Sequence, residues 1–405
     1  MLQIKVGNKS IKASYLGFIT LLFIYWCDRT ILSYFKGFID SSEVLLSVYS
    51  FFVLSITVIC WLFIIKDVIN NISILDLVII CFFVSFYIVS IYDANTKIYA
   101  LENANIFFFT ALPLYFLGKI FPRGEEEKEK VFDFLYIASF WGVVLAILYT
   151  FYVLFTGRNW TGADNMAHAY SVLFSLLYII WYKGNKLKKS NTIIIIIGFA
   201  YLVAMGTRGA LLAALVWWLV CFLIQKENGR TKKILVISGI ILLAIFVISG
   251  LMQSIIVSLF GVFSKLGLNI RIFEYYLSHD IGNANGRELI YSNLSRYISE
   301  VDGISGFFYD RVANNGVYAH NIFIELLVDF GKVFGGLLIA LLVFMIYGGV
   351  RRANDNNSRE FILLFVVGIL IKLMLSSSFL NEPFFFFMLG LLANNIRIKY
   401  KRVSS

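Results

Sequence analysis

The sequence predicts an all-α polytopic membrane protein with about twelve transmembrane helices and a long outer helical loop between helices 9 and 10. Of its 405 residues, 60% are hydrophobic and only 15% are charged. A soluble domain is nearer half apolar and a quarter charged. The excess apolar surface does not fit into one core, so it must face lipid. Many apolar stretches also exceed the roughly 18 residues that cross a bilayer.

Twelve apolar runs define the predicted membrane helices. They lie at 13–33, 43–65, 73–92, 102–121, 131–155, 167–182, 191–206, 209–225, 233–252, 321–349, 360–379 and 383–397.

The distribution of lysine and arginine predicts the orientation of these helices. Cytoplasmic loops of membrane proteins carry an excess of basic residues. With the N-terminus inside, the short outer loops hold only Arg29, Lys36, Lys97, Arg158 and Arg208. Both termini are therefore predicted to be cytoplasmic. The net charge of +10 then reflects topology, and no nucleic-acid partner is expected.

The chain divides into three predicted parts. Residues 1–252 carry helices 1–9, residues 253–320 form an outer loop or cap that carries candidate site residues, and residues 321–405 carry helices 10–12 and a cytoplasmic tail. Long ordered loops are usually functional. The charged run 124–128 has the composition of a solvated cytoplasmic linker.

His320 is the histidine that the context singles out, because it ends the outer loop where a helix is predicted to begin. One interpretation is that His320 or Asn321 caps this helix or lies at the membrane interface. The other is that His320 is a base or hydrogen-bonding group at the outer surface. His168 begins the span 167–182 and could line the same face.

Two arginines are candidate anion-binding groups. Arg208 lies between Gly206 and Gly209 in a predicted outer hairpin. It either extends to the membrane interface or forms a bidentate clamp on a phosphate. Arg287 opens a predicted helix after an Asn/Gly turn, and it either pairs with Glu288 at the surface or makes a second anion contact.

Two carboxylates share one face of the predicted tenth span, because Glu325 and Asp329 are four residues apart. Carboxylates at that depth are costly unless they pair or line a wet cavity. Glu325 is a candidate substrate-binding residue. For Asp329 we favour neutralisation by Lys332 or Lys372. The sequence shows no pattern typical of a metal site, and no metal or other cofactor is expected.

Three segments resemble the O-antigen polymerase and O-antigen ligase superfamily of bacterial envelopes. Residues 205–212 are similar to the family's Ser/Thr-Arg-Gly-Ala hairpin, and residues 285–291 to its Gly-Arg-x-x-Leu-x-aromatic element. His320-Asn321, followed by nine residues and Gly331, resembles its His-Asn-x9-Gly-x-x-Gly signature. This sequence departs from the signature at one position. Phe334 stands where the signature has its last glycine, and the next glycine, Gly335, comes one residue later. The resemblance covers roughly residues 195–350.

The resemblance implies a glycosyltransferase in the bacterial inner membrane that acts on the periplasmic face without a metal. Its donor and acceptor would be oligosaccharides on undecaprenyl pyrophosphate, and a chain-length regulator protein is a further partner that it allows. By motif, Arg208 and Arg287 would grip the pyrophosphate, and His320 would assist the acceptor. Positive charge placed where a leaving group gains negative charge suits this chemistry.

Three functions remain open at this point. Polymerisation of lipid-linked repeat units, as in O-antigen and lipopolysaccharide biosynthesis or that of a similar surface polysaccharide, is preferred because the ligase-like glycine spacing is imperfect. The alternative within the family is a ligase that moves the finished glycan onto lipid A-core. A flippase or transporter without covalent chemistry is the alternative from another class. It predicts interrupted helices in two corresponding halves, and no internal repeat is evident.

Overall fold

The computed structural model describes residues 3–6, 9–38, 43–156, 162–182, 189–205, 207–224, 287–301 and 303–402. Two short strands, β1 (Gln3–Val6) and β2 (Lys9–Lys12), pair antiparallel with Gln3 opposite Lys12. This N-terminal hairpin is the one departure from the predicted all-helical class within the described residues.

Helices account for the other regular elements of the described residues. They are α1 (Ala13–Phe38), α2 (Glu43–Asn71), α3 (Ile74–Tyr92), α4 (Lys97–Ile106), α5 (Leu112–Lys119), α6 (Glu125–Thr156), α7 (Gly162–Tyr182), α8 (Lys189–Ala204), α9 (Arg208–Ile224), α10 (Arg287–Glu300), α11 (Tyr309–Ala313), α12 (Ile322–Arg351), α13 (Asn356–Leu375) and α14 (Pro383–Arg402). A π-helical turn, Phe107–Ala111, joins α4 to α5, and a 3-10 turn, Phe379–Asn381, precedes α14.

Five helical segments among the described residues are long and apolar enough to cross a membrane. They are Ser47–Asn71, Ile74–Tyr92, Lys97–Lys119, Glu125–Thr150 and Ile322–Arg351. A helix rises about 1.5 Å per residue, so about twenty residues match the roughly 30 Å hydrocarbon core. The chain therefore has the helices of a membrane protein.

The positions of these helices agree with those of the predicted spans that fall on described residues. Helices overlap eleven of the twelve runs, and the twelfth, 233–252, lies outside the described residues. Length and apolarity support five of them as spans, so the number of crossings and the orientation stay predictions. Most of the predicted outer loop, 253–286, also lies outside the described residues, whereas its end, 287–320, contains α10 and α11.

The chain forms two compact units. One contains Met1–Ala138 and Leu289–Ser405, and the other contains Ser139–Glu288. The first unit has an aromatic core in which the Phe83 ring packs against Phe107, Phe307, Phe379 and Phe386. In the second unit the buried Trp217 indole donates to the carbonyl oxygen of Leu177 at 2.9 Å.

Helices α5 and α14 pack so closely that their backbones touch at two glycines. A Cβ on Gly390 would lie 2.0 Å from the Tyr115 carbonyl oxygen, and one on Gly118 would lie 2.2 Å from the Phe387 carbonyl oxygen. Small residues at helix interfaces permit this approach in membrane proteins. Beside the contact, the buried Lys119 pairs with Asp76 at 2.9 Å.

The charged run 124–128 is exposed at Gly124, Glu125 and Glu126, as its composition predicted, but it is not a linker. It forms the start of α6 from Glu125 onward, and Lys128 is buried. The Lys128 ammonium forms an ion pair with Asp355, the N-cap residue of α13.

Candidate functional site

His320 occupies a strained position immediately before a helix. Its φ is 53°, in the left-handed region that non-glycine residues rarely adopt. Such strain costs about 1–3 kcal/mol and persists only where the surroundings fix it. The ring packs against Tyr318, with centroids 4.0 Å apart. The Tyr318 hydroxyl in turn donates to the Ser376 carbonyl oxygen at 2.9 Å.

Asn321 caps α12. Its backbone is extended, and its side-chain oxygen accepts hydrogen bonds from the amides of Phe323 at 3.0 Å and Ile324 at 3.4 Å. This arrangement satisfies donors that the first turn of a helix leaves without partners. The prediction that this residue pair caps the helix is confirmed for Asn321. Its substrate-binding role stays a prediction.

The loop before His320 is held by hydrogen bonds from its backbone amides to the α11 region. The Ala319 amide donates to an Asp310 carboxylate oxygen at 2.8 Å, and the Gly316 amide donates to the Arg311 carbonyl oxygen at 2.7 Å. Ala319 also belongs to a buried apolar cluster with Leu294 of α10 and Val328 of α12. The neighbours of His320 therefore fix the loop from two sides.

Helix α12 is broken at Gly331, whose φ of 72° and ψ of 170° are not helical. A Cβ on Gly335 would lie 2.5 Å from the Leu326 carbonyl oxygen. In a continuous helix these two residues would be about 13.5 Å apart, so the chain must turn back sharply between them. The predicted single span at 321–349 is therefore a short helix, 322–330, followed by a longer one, 332–351, and the longer helix still has the roughly twenty residues that cross a bilayer.

The break gives the segment before His320 a docking point on α12. It leaves carbonyl oxygens at the end of the short helix without helical partners. The Asp329 carbonyl oxygen accepts hydrogen bonds from the amides of Ser305 at 3.0 Å and Gly306 at 2.7 Å. The two glycines thus have separate structural roles. Gly331 forms the bend, and Gly335 allows the close contact with Leu326.

Three buried carboxylates lie beneath this loop. Asp310, Glu325 and Asp329 are 1%, 1% and 0% exposed. One carboxylate oxygen from each lies within 4.8 Å of the other two. The sequence singles out Glu325 and Asp329 but not Asp310. No local signal relates Asp310 to the other two, because α11 and α12 meet only in the fold.

Each acid also has hydrogen-bond donors from the protein. Glu325 accepts from the Ser378 hydroxyl and from the Phe379 amide, the latter at 3.3 Å. Asp329 accepts from the Asp310 amide at 3.3 Å. The buried Glu325 thereby ties α12 to the segment before α14, and its direct contact with substrate stays a prediction.

Arg311 is the charged residue next to Asp310 in the chain. Burial raises the pKa of the Asp310 carboxyl, and the adjacent Arg311 guanidinium partly opposes that rise. The Arg311 guanidinium lies 4.8 Å from the centre of the Phe308 ring. The expected neutralisation of Asp329 by Lys332 or Lys372 is wrong, since Lys372 forms a buried ion pair with Glu382 and Lys332 is exposed.

The other predicted site residues lie in the second unit. Arg287 is the first residue of α10, as predicted, and is half-buried. Arg208 begins α9, and its side chain is outside the described part of the chain. His168 lies inside α7 rather than at its start, with its ring 5.2 Å from that of Tyr149. The meeting of these residues with His320 stays a prediction.

A scan against protein-family models, a search of curated proteins and a search of solved structures found no match to this chain.

Proposed function

We propose that the protein is a membrane-embedded glycosyltransferase that polymerises undecaprenyl-pyrophosphate-linked oligosaccharide repeat units on the periplasmic face of the bacterial inner membrane. The observation that carries this proposal is the conformation of His320, a strained residue between a fixed loop and a capped helix. Strained non-glycine residues cluster at functional sites. The resemblance of three motifs to the O-antigen polymerase and O-antigen ligase superfamily supplies the reaction class.

The proposed reaction transfers the growing glycan from one lipid carrier to a sugar hydroxyl of another lipid-linked unit. The acceptor oxygen forms a bond to the anomeric carbon of the donor, and the bond from that carbon to the pyrophosphate oxygen breaks. His320, in its neutral form, takes the acceptor proton. Arg208 and Arg287 balance the charge that develops on the departing undecaprenyl pyrophosphate.

Substitution of His320 tests the role of its ring. We expect His320→Ala to abolish transfer while donor binding and expression remain. His320→Gln retains a polar side chain but no base, so it fails if proton transfer matters and retains part of the activity if His320 only orients the acceptor.

His320→Asn is the matched control for backbone strain, because asparagine, like histidine, is among the non-glycine residues that adopt left-handed conformations most often. If His320→Asn folds normally but no longer transfers glycan, the loss of activity is due to the missing imidazole. A fully active His320→Ala would remove this residue from the mechanism. A loss of yield and melting temperature in parallel with activity in all three variants would indicate a structural role only.

The arginine clamp is tested by a charge-conserving change. Arg208→Lys keeps the charge but replaces a bidentate fork with a single ammonium. A charge-assisted contact contributes about 1.5–3 kcal/mol, so transfer should fall about ten- to a hundred-fold. Full activity of purified Arg208→Lys would leave interfacial positioning as the role of this residue.

The glycans of a deletion strain separate the three candidate functions. Single-repeat glycans on the lipopolysaccharide core indicate a polymerase. Loss of all glycan from the core, with long lipid-linked chains accumulating, indicates a ligase. Loss of outward-facing lipid-linked repeats indicates a flippase.

Cysteine labelling in intact cells tests the proposed orientation. Asn314 is buried, whereas the neighbouring Asn315 is exposed, so Asn315→Cys is the better outer reporter. Asn185, outside the described residues, is the predicted cytoplasmic reporter. In a background without the native cysteines, an impermeant reagent should label position 315 and spare position 185. Labelling of position 185 with protection of position 315 would show that the proposed orientation is wrong.

A further inference from the structure

If all three carboxylates beneath the His320 loop are ionised, their negative charge exceeds what their protein neighbours compensate. Among the described residues, no lysine or arginine forms an ion pair with Asp310, Glu325 or Asp329. Arg311 contributes one nearby positive charge. Three ionised acids beside one guanidinium would leave two negative charges, and an uncompensated buried charge is strongly destabilising. Two protons or one divalent cation would restore the balance.

Two carboxylate oxygens of the cluster have no hydrogen-bond donor among the described residues. Asp310 Oδ1 and Asp329 Oδ2 are fully buried and accept no hydrogen bond within the described residues. The other oxygen of each residue is satisfied by a backbone amide, from Ala319 and Asp310 respectively. Buried polar atoms without partners are rare in folded proteins, so these two oxygens require a positively charged or protonated partner.

We propose that Asp310, Glu325 and Asp329 bind one hard divalent cation of the Ca²⁺ or Mg²⁺ class. Both ions prefer carboxylate oxygens, at about 2.3–2.6 Å for Ca²⁺ and about 2.0–2.1 Å for Mg²⁺. Two oxygens on one Ca²⁺ ion are separated by at most about 4.8 Å, twice a 2.4 Å bond. The three oxygens lie within 4.8 Å of one another, which meets the separation that sharing one Ca²⁺ ion requires.

The cation would brace the loop rather than take part in glycosyl transfer. Asp310 comes from α11, and Glu325 and Asp329 come from the short helix before the bend at Gly331. The same Asp310 carboxylate accepts a hydrogen bond from Ala319, the residue before His320. Bound metal would thus join α11 to α12 and fix the position of His320. This site does not depend on the glycan chemistry proposed above.

The test uses the purified full-length protein in detergent after treatment with EDTA. Titration with CaCl₂ and with MgCl₂, followed by calorimetry, should show saturable binding of one ion, and thermal unfolding should shift to a higher midpoint with the bound ion. Asp310→Asn and Asp329→Asn should each weaken this binding at least tenfold. Asp93→Asn is the matched control, since Asp93 accepts a hydrogen bond from Tyr309, next to Asp310, but is not part of the cluster.

Two outcomes would overturn the proposal. If the wild-type protein binds neither ion and Asp310→Asn/Asp329→Asn is as stable as wild type or more stable, the carboxyls hold protons instead. If wild-type binding persists unchanged in both single variants, the ion binds elsewhere. Should a single variant fail to fold, the EDTA and CaCl₂ melting curves of the wild-type protein decide the matter, because a metal brace requires the midpoint to respond. Transfer activity is not used as a readout, so failure of the proposed function does not affect this test.

Discussion

The contact between α5 and α14 predicts that one added methyl group at Gly390 will destabilise the fold. The Cβ of Gly390→Ala would lie 2.0 Å from the Tyr115 carbonyl oxygen and 2.9 Å from the Lys119 amide nitrogen. Close carbon–oxygen contacts in proteins are about 3.3 Å or longer. The Cβ would therefore lie about 1.3 Å too close to the carbonyl oxygen. Because the clashing atoms belong to the backbone, no side-chain rotation relieves the clash. The two helices must separate.

The cost follows from what the separation disturbs. Overpacking of a tight interior costs about 1–3 kcal/mol. The same interface holds hydrogen bonds from Lys119 to the Ala393 carbonyl oxygen at 3.3 Å and from Arg123 to Asn394, each worth about 0.5–1.5 kcal/mol. Alanine favours a helix over glycine by about 1 kcal/mol, which offsets part of the loss. We expect a net destabilisation of about 1–3 kcal/mol.

Unfolding by a graded series of SDS concentrations in mixed micelles measures this difference. Gly336→Ala is the matched control, because a Cβ at Gly336 of α12 meets no atom within 4 Å. It should leave stability unchanged or raise it by up to about 1 kcal/mol. Gly118→Ala/Gly390→Ala should cost less than the sum of the single changes, since helices that have already separated admit the second methyl group. Equal stability of Gly390→Ala and Gly336→Ala would refute the reasoning.

Two further predictions concern ion pairs in the same unit. Burial raises the pKa of Asp355, but hydrogen bonds from Lys128 and Ser358 outweigh it and hold the pKa below its usual value. The resulting stability should be full above about pH 3.9 and be lost as the pH falls through the lower folded value. Asp355→Asn, which keeps the helix cap, should abolish this acid dependence, and an unchanged acid-unfolding curve would contradict the assignment. Lys372→Met should lower the free energy of unfolding by about 3–5 kcal/mol, because it leaves the buried Glu382 unpaired. Lys372→Met/Glu382→Gln should recover most of that stability. Equal unfolding curves for the single and double variants would refute this prediction.

The sequence predicted the features that depend on local pattern. Apolar runs gave the positions of the helices because burial in lipid needs a continuous apolar stretch. The start of α10 at Arg287 was predicted from the Asn/Gly-rich sequence before it, and the cap at Asn321 was predicted from a polar residue before an apolar run.

The sequence did not predict the features that depend on distant partners or on direction. Lys128 has the composition of a solvated residue, yet it is buried because Asp355, far along the chain, neutralises it. The bend at Gly331 was missed because hydropathy records whether a segment is buried and not which way it runs. Asp310 was missed for the same reason, since only the fold brings α11 against α12.

The conformation of His320 connects local strain to the two proposals. A left-handed residue relaxes unless its neighbours prevent it. Here Asp310 holds the Ala319 amide, Asn321 caps α12, and Tyr318 is anchored to Ser376 while its ring packs on the imidazole. A side chain fixed on both sides loses little entropy when it meets its substrate, which is what a positioned base requires. One of these restraints, Asp310, would itself be fixed by the proposed cation. The metal and the base would then act at different distances from the reacting atoms, the first by holding the loop and the second by taking the proton.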